Sequence, residues 1–122
     1  MSIVNYTPHT VSVYEGATYN PAIRKYEGGT LTRCIPSCGV VLNARMDTTP
    51  VGDVEGVPCV RAHVVDVDPA PAFGPGDYFI VSTIYVNACK ALGFDTSHML
   101  TVDGAVVDSE GHVVGCVGFR RN

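Results

Sequence analysis

Two pairs of potential metal ligands form the sharpest chemical pattern in the sequence. Cys34 and Cys38 have three residues between them, and so do Cys59 and His63. If residues 57 to 67 form a strand, Cys59 and His63 lie roughly 13 Å apart, whereas zinc ligands bind the metal at about 2.0 to 2.3 Å. The spacing therefore predicts no metal site.

A strand-to-helix junction is the second candidate, and its chemistry is anion binding. Residues 77 to 81 have the pattern of a buried strand, and Ser82 can N-cap a helix that follows it. A helix N-terminus presents free backbone N–H groups and the positive end of the helix dipole, which favour a phosphate or a carboxylate. Thr83, Asn87 and Lys90 recur at helical spacing and would extend such a site, or they are simply solvated.

Four further side chains are candidates for ligand binding. His9 follows Pro8 in a bend, where its ring would either fix the turn or contact a ligand or a subunit. Arg61 lies in a valine-rich strand, and a buried arginine must be paired with an acidic residue or must face a ligand. Tyr78 could stack on a base or belong to the core, and Arg120 could pair with a phosphate. The predicted ligand-binding set is therefore His9, Arg61, Tyr78, Ser82, Thr83, Asn87 and Arg120.

Catalytic signatures are missing from the sequence. Ser82 is not surrounded by G-x-S-x-G, the cysteines lack a hydrolase pattern, and no phosphate loop of the G-x-x-x-x-G-K-[ST] type occurs. We therefore expect a binding protein without a cofactor and not an enzyme. The alternative is a small enzyme in which His9, His98 or a cysteine acts as acid, base or nucleophile.

Length and charge limit the class of protein. The chain has 122 residues, of which 46% are hydrophobic, and this suits one globular domain spanning residues 1 to 122. A net charge of −4 disfavours long nucleic acids, whose binding depends on phosphate neutralisation. No signal peptide and no run of about 18 apolar residues is visible, so we expect a cytoplasmic protein with no membrane partner and with reduced cysteines.

Short strands must position most of these residues. Hydrophobic alternation and turn residues predict strands at residues 2 to 6, 9 to 14, 30 to 35, 39 to 46, 57 to 67 and 77 to 81, with two or three more after residue 97. The strands at 39 to 46 and 57 to 67 form a long hairpin, joined by a turn-rich connection that holds Pro50, Gly52 and Gly56. Further turns are predicted at Asp103-Gly104 and at residues 108 to 111.

One helix is predicted at about residues 83 to 92, between the N-cap Ser82 and Gly93 at the C-terminal cap. The apolar residues expected on its buried face are Ile84, Ala88, Ala91 and Leu92. The sum is an α+β, mostly β domain with a twisted antiparallel sheet of about seven short strands and one main helix. Its many strand edges favour a homo-oligomer that pairs or covers them.

Three stretches of the chain resemble one family of small phage and prophage proteins. They are "NYTPHTVSVY" at residues 5 to 14, "DYFIVSTIYVNA" at residues 77 to 88 and "VVDSEGHVVGCVGF" at residues 106 to 119. The first is similar to the opening N-[LY]-T-P-H-x-[VI] of these proteins, the second to their strand-to-helix junction, and the third to a closing D-x-x-G-x-[VI]-[VI]-G-C strand. The chain departs from the family at Thr96-Ser97-His98, where an Arg-x-Asp is expected. The family implies a phage setting with no particular activity attached to it.

By its small size and phage setting, the chain is similar to anti-defence proteins that sequester nucleotide signals, such as inhibitors of the Thoeris and CBASS systems. This resemblance implies a homo-oligomeric, phage-type anti-defence protein in the cytoplasm of the infected bacterial host. Its ligand would be a cyclic ADP-ribose isomer or a cyclic oligonucleotide, bound without catalysis. The alternatives are a small enzyme that modifies such a nucleotide, and an inhibitor or structural protein that binds another protein.

Overall fold

Ten strands and one helix make up the fold in the computed structural model, which describes residues 3–68 and 76–122. In chain order they are β1 (Ile3–Asn5), β2 (Val11–Glu15), β3 (Thr18–Asn20), β4 (Lys25–Glu27), β5 (Thr30–Ile35), β6 (Asn43–Val54), β7 (Val57–Asp68), β8 (Tyr78–Ile80), α1 (Thr83–Ala91), β9 (Met99–Val107) and β10 (Val113–Arg121). The α+β, mostly β class with one short helix is therefore confirmed. No helix in this described part of the chain is long and apolar enough to cross a membrane.

The main sheet is curled and contains both antiparallel and parallel pairs. Its strand order is β1-β8-β9-β10-β2-β5, and the β3–β4 hairpin joins it where β4 pairs with β9. β9 pairs antiparallel with β10, and β2 with β5, whereas β8 is parallel to both β1 and β9, and β2 is parallel to β10. The two ends of this order approach each other, because Asn5 bridges to Ser37 and its carbonyl accepts a hydrogen bond from the Cys38 N–H at 2.9 Å. The curled sheet therefore encloses an inner core.

Alternation along β8 and β9 separates two cores on opposite faces of the sheet. Phe79 and Met99 pack beneath α1, while Ile80 and Leu100 face the inner core. The core beneath α1 also contains Leu42, Val67, Val81, Tyr85, Val86, Ala88 and Cys89. The inner core also contains Val11, Ile35 and Cys116. As a result, α1 lies on the outer face and its N-terminus is held at the end of β8.

The capping residues of α1 are where the sequence predicts them, but a different face of the helix is buried. Ser82 is the N-cap, and Gly93 takes a φ of +84° directly after the C-cap Leu92. The buried residues are Tyr85, Val86, Ala88 and Cys89. The prediction that Ile84 and Leu92 are buried is wrong: Tyr85, fully buried, occupies the core and leaves Ile84 66% exposed.

β6 and β7 form a separate two-stranded ribbon, which we call the arm. Each strand has 12 residues, and they are joined by Glu55 and Gly56, both at positive φ (51° and 79°), as in a type I′ hairpin turn. The predicted long hairpin is confirmed, with Gly56 in its turn, but the turn-rich connection is wrong for Pro50 and Gly52, which lie inside β6 where the register shifts between them. A bulge accommodates these residues in a strand that has a free edge.

The predicted turn at Asp103-Gly104 is also wrong, because β9 continues through it to Val107. Gly104 has a φ of +71° within the strand, and a Cβ there would collide with the side chain of Val117. Only glycine fits, so the glycine marks a tightly packed irregularity and not a reversal of the chain.

One further turn prediction is confirmed, and one hairpin was not predicted. The turn at residues 108 to 111 is confirmed, since Asp108 Oδ1 accepts hydrogen bonds from the N–H groups of Glu110 and His112, each at 2.9 Å. The sequence did not predict β3 and β4, whose rings Tyr19 and Tyr26 pack edge to face with centroids 5.2 Å apart. Three-residue strands are too short to show a period of two.

Candidate functional site

A cavity of about 450 Å³ opens beside the first turn of α1, and we call it the end cavity. It is lined by the bend before β2 and the start of β2, the β8–α1 junction, the middle of β9 and the start of β10, which contribute residues from 7 to 12, 80 to 83, 101 to 102 and 113 to 116. Of the predicted ligand-binding set, His9, Ser82 and Thr83 are brought together here. Three of the seven predicted ligand-binding residues therefore lie at one cavity.

The N-terminus of α1 forms part of the wall of the end cavity, through Ser82 and Thr83. Ser82 has extended backbone geometry (φ −71°, ψ 154°), and its Oγ accepts a hydrogen bond from the Tyr85 N–H at 3.1 Å. Ser82 is thus an N-cap, and its hydroxyl is engaged in that role. The N–H groups of Thr83 and Ile84 have no acceptor within the helix, and the first turn contains no acidic residue. The positive end of the helix dipole is left uncompensated at the cavity wall.

Thr101 adds a polar group that the sequence analysis missed. It is only 6% exposed and lines the end cavity, and its hydroxyl has no hydrogen-bond partner among the described residues. These residues include no solvent-inaccessible side-chain oxygen or nitrogen without a partner, so the Thr101 hydroxyl keeps some access to solvent. The available signal was a polar residue at the end of the apolar pair Met99-Leu100, inside a buried strand.

His9 contributes an imidazole to the edge of the same cavity. The bend before it is held by Asn5, which is 1% exposed. The Asn5 Nδ2 donates to the carbonyls of His9 (2.8 Å) and Ile35 (2.9 Å), and its Oδ1 accepts from the N–H (2.9 Å) and the hydroxyl (2.6 Å) of Thr7. The His9 ring makes no hydrogen bond with any described residue, so it does not fix the turn. The ring is exposed and free to contact a ligand.

The charged side chains that line the end cavity determine its electrostatic character. His9 is the one described lining side chain that can carry a positive charge, and none of the lining side chains is a carboxylate. The thiol of Cys116 also lines it, and burial raises the pKa of that thiol, which keeps it neutral at physiological pH. The described lining therefore presents no negative charge, in a chain whose net charge is −4.

Two other cavities in the described part of the chain have a different character. One of about 360 Å³ is lined in part by Glu15, and one of about 570 Å³ by Glu27 and Asp108. Carboxylates repel an anion, and burying a carboxylate beneath a ligand without an ion-pair or hydrogen-bond partner costs free energy. The end cavity is accordingly the better candidate for an anionic ligand.

The structure does not bring the other predicted ligand-binding residues to the end cavity. Arg61 is exposed on β7 opposite Thr49, so its interpretation as a buried cation is wrong. The valines around it indicated burial, but they belong to a two-stranded ribbon open to solvent. Arg120 pairs with Asp103 at 3.1 Å on the surface, and Asn87 is exposed on α1.

Tyr78 belongs to a separate stack at the start of β8. Its ring lies against that of His98 (centroids 5.0 Å apart, 19° between planes), and its hydroxyl accepts a hydrogen bond from Arg121 Nη2 at 2.9 Å. The Nδ1 of His98 donates to the Asp77 carbonyl at 2.7 Å. His98 therefore lies in this stack and not in the lining of the end cavity, whereas His9 lines the cavity.

The metal-ligand pairs remain apart from this site. Cys34 and Cys38 are exposed, while Cys59 and His63 lie on the arm opposite Gly52 and Asp47. In the residues that the structure describes, no group of three His, Cys, Asp or Glu side chains could hold a metal ion.

The arrangement around α1 can thus bind an anion beside an apolar wall. The positive end of the helix dipole, a threonine and an imidazole surround a space with no carboxylate among its described lining residues. No protein-family model matches the chain, and no curated protein or solved structure matches it either.

Proposed function

We propose that this protein binds a small nucleotide-derived molecule in the end cavity and holds it without turning it over. The observation that carries the proposal is the placement of the α1 N-terminus, the unpartnered Thr101 and the ring of His9 around one cavity whose described lining lacks carboxylates. Such a cavity favours an anionic group at one end of its ligand.

The size and the walls of the end cavity suit a ligand of this class. Its volume of about 450 Å³ lies within the roughly 300 to 1,000 Å³ that is usual for small-molecule sites. The apolar side chains of Val102, Val113 and Val114 line it and would pack against a base or a sugar. A nucleotide supplies both an apolar, planar part and a phosphate.

Sequestration gives this binding a biological role. A protein that holds a nucleotide signal lowers its free concentration by mass action, without any reaction. The resemblance to phage proteins favours a role of this kind against a bacterial defence system, in the cytoplasm of the infected host. An enzyme that modifies the same nucleotide is the competing function.

A thermal-shift panel tests the proposal. The ligands are cyclic ADP-ribose isomers, cyclic di- and trinucleotides, NAD and ADP-ribose, because a ligand that binds only the folded state stabilises it by about 2.7 kcal/mol at 100 times its Kd. We expect one ligand to raise the melting temperature of the wild type and much less that of Thr101→Val. Thr49→Val on the exposed arm is the matched control and should behave as the wild type does.

Mass spectrometry of the ligand released by heating separates the two functions. Recovery of the intact nucleotide supports sequestration, and recovery of a modified nucleotide supports the enzyme. No shift with any member of the panel would overturn the nucleotide proposal.

The arm supports a second part of the proposal, which is that the protein associates with a second copy of itself. Residues directly opposite each other share a face of a ribbon. One face carries Met46 with Val64, Thr48 with Ala62 and Pro50 with Val60, and the other carries Asp47 with His63 and Thr49 with Arg61. Val64 packs against the core beneath α1, and Val60 farther out is 59% exposed. The apolar face thus continues from the core into solvent.

A second copy is the occupant that this face fits best. A two-stranded ribbon is marginally stable alone in water, and a twofold dimer needs only one self-complementary surface. Strands of 12 residues make a ribbon roughly 40 Å long and about 10 Å wide. Two facing arms would bury on the order of 800 Å² in total, less than the roughly 1,200 Å² of a standard stable interface. We therefore expect a weak dimer.

Sedimentation velocity over a range of concentrations tests the arm contact. The wild type should shift from monomer to dimer as the concentration rises, and Val60→Lys should remain a monomer. Thr49→Lys places the same charge on the opposite face and should still dimerise. A dimer that survives Val60→Lys, or a wild type that stays monomeric throughout, would contradict this part of the proposal.

A further inference from the structure

Resting on the proposed function, we propose that the end cavity recognises one singly charged phosphodiester group, held between the first turn of α1, the hydroxyl of Thr101 and the protonated ring of His9. Binding should therefore strengthen as the pH falls and His9 takes up a proton. This assigns to the cavity a ligand charge and a pH response.

The count of charges around the end cavity sets the charge of the ligand. The N-terminus of a helix acts as roughly half a positive charge, and His9 can add one more when it is protonated. The lining contains no lysine or arginine among the described residues. A dianion would lose more hydration than these two groups can offset, whereas a monoanion is matched by them. A phosphodiester keeps a single negative charge, and a phosphate monoester approaches two at neutral pH.

Hydrogen bonding in the cavity also suits a phosphodiester. Its two non-bridging oxygens need donors, and the N–H of Thr83, a residue that lines the cavity, lacks an acceptor within the helix. The Thr101 hydroxyl keeps some access to solvent and lacks a partner among the described residues. Ser82 is not a donor here, because its hydroxyl is engaged in the cap at 3.1 Å from the Tyr85 nitrogen.

The sign of the pH effect follows from the groups that face the cavity. A bound anion favours the protonated form of His9, so binding takes up a proton and is promoted by acid. The other titratable group of the described lining is the Cys116 thiol, whose pKa is raised by burial, and it stays neutral over the same range. No other charged group of the described lining opposes the effect of His9.

Calorimetric titration with 3′,5′-cyclic AMP, a simple phosphodiester, tests the inference at about pH 5.5 and about pH 8. We expect the wild type to bind roughly tenfold more tightly at the lower pH, a difference typical of one added charge contact. His9→Gln should bind equally at both values, at the weaker level. His63→Gln, which removes an exposed histidine from the arm, should keep the wild-type response.

Three outcomes would overturn the inference. They are an unchanged pH response in His9→Gln, tighter binding of the monoester 5′-AMP than of the cyclic diester at the higher pH, and no binding of the diester at either pH. Thr101→Val should weaken the diester at both pH values, whereas Thr101→Ser should restore it.

This test also separates the inference from the proposed function. Cyclic AMP could bind with the His9-dependent response while no member of the nucleotide panel stabilises the fold. In that case the proposal that the protein sequesters a nucleotide signal is wrong, and the phosphodiester site stands. If a panel member binds without a response to pH or to His9→Gln, the function stands and the phosphodiester site is wrong.

Discussion

Asn5 and Thr101 show how single polar side chains in apolar surroundings shape this site. Asn5 makes four hydrogen bonds from a position that is almost fully buried, and these fix the bend that carries His9. Thr101 has no partner among the described residues and lines the cavity. The sequence predicted His9 as a candidate but neither Asn5 nor Thr101. Hydrophobic alternation alone does not distinguish a buried, hydrogen-bonded polar side chain from a solvated one.

Replacing Asn5 should destabilise the protein more than replacing a surface asparagine. Asn5→Ala removes its hydrogen bonds to the carbonyls of His9 and Ile35 and from the N–H and hydroxyl of Thr7, so we expect a loss of about 3 kcal/mol in the free energy of unfolding. Asn20→Ala removes bonds at an exposed turn and should cost less than about 1 kcal/mol. Urea unfolding of both variants gives the comparison, and equal losses would contradict the role assigned to Asn5.

At the scale of elements, helix α1 and the arm show which features could be predicted from the sequence and which could not. The caps of α1 were predictable because Ser and Gly act locally, through the backbone of one turn. Its buried face was not predictable, because packing against the surrounding core decides that Tyr85 is buried. In the arm, Pro50 and Gly52 indicated a turn, but a register shift absorbs both within β6. Local signals thus fail where pairing with another strand decides the outcome.

Substitutions at Ser82 should separate its effect on the stability of α1 from its effect on ligand binding. Ser82→Ala removes the N-cap and should lower the free energy of unfolding by about 1 kcal/mol. Ser82→Asp keeps an oxygen that can accept from the Tyr85 N–H, so the stability should be retained. Its carboxylate would stand at the cavity, however, and should abolish binding of an anion. Urea unfolding and calorimetry with cyclic AMP measure the two effects, and undiminished binding by Ser82→Asp would argue against an anion at this helix end.

At the scale of the whole molecule, the curled sheet explains why distant segments meet at one cavity. Parallel pairing of β8 with β9 and of β2 with β10 brings the bend at His9, the junction at Ser82 and the middle of β9 to one site. The fold class was predictable from the strand and helix patterns. This convergence was not, because the parallel pairs join segments that are far apart in the chain and leave no local signal in either one.

The most direct test of a ligand site in the end cavity is an NMR titration of the backbone amides with cyclic AMP. We expect the largest shifts at Thr83, Ile84 and Thr101 and in the bend at His9, with the arm unaffected. Shifts concentrated on the arm, or around Glu27 and Asp108 at the other large cavity, would contradict it.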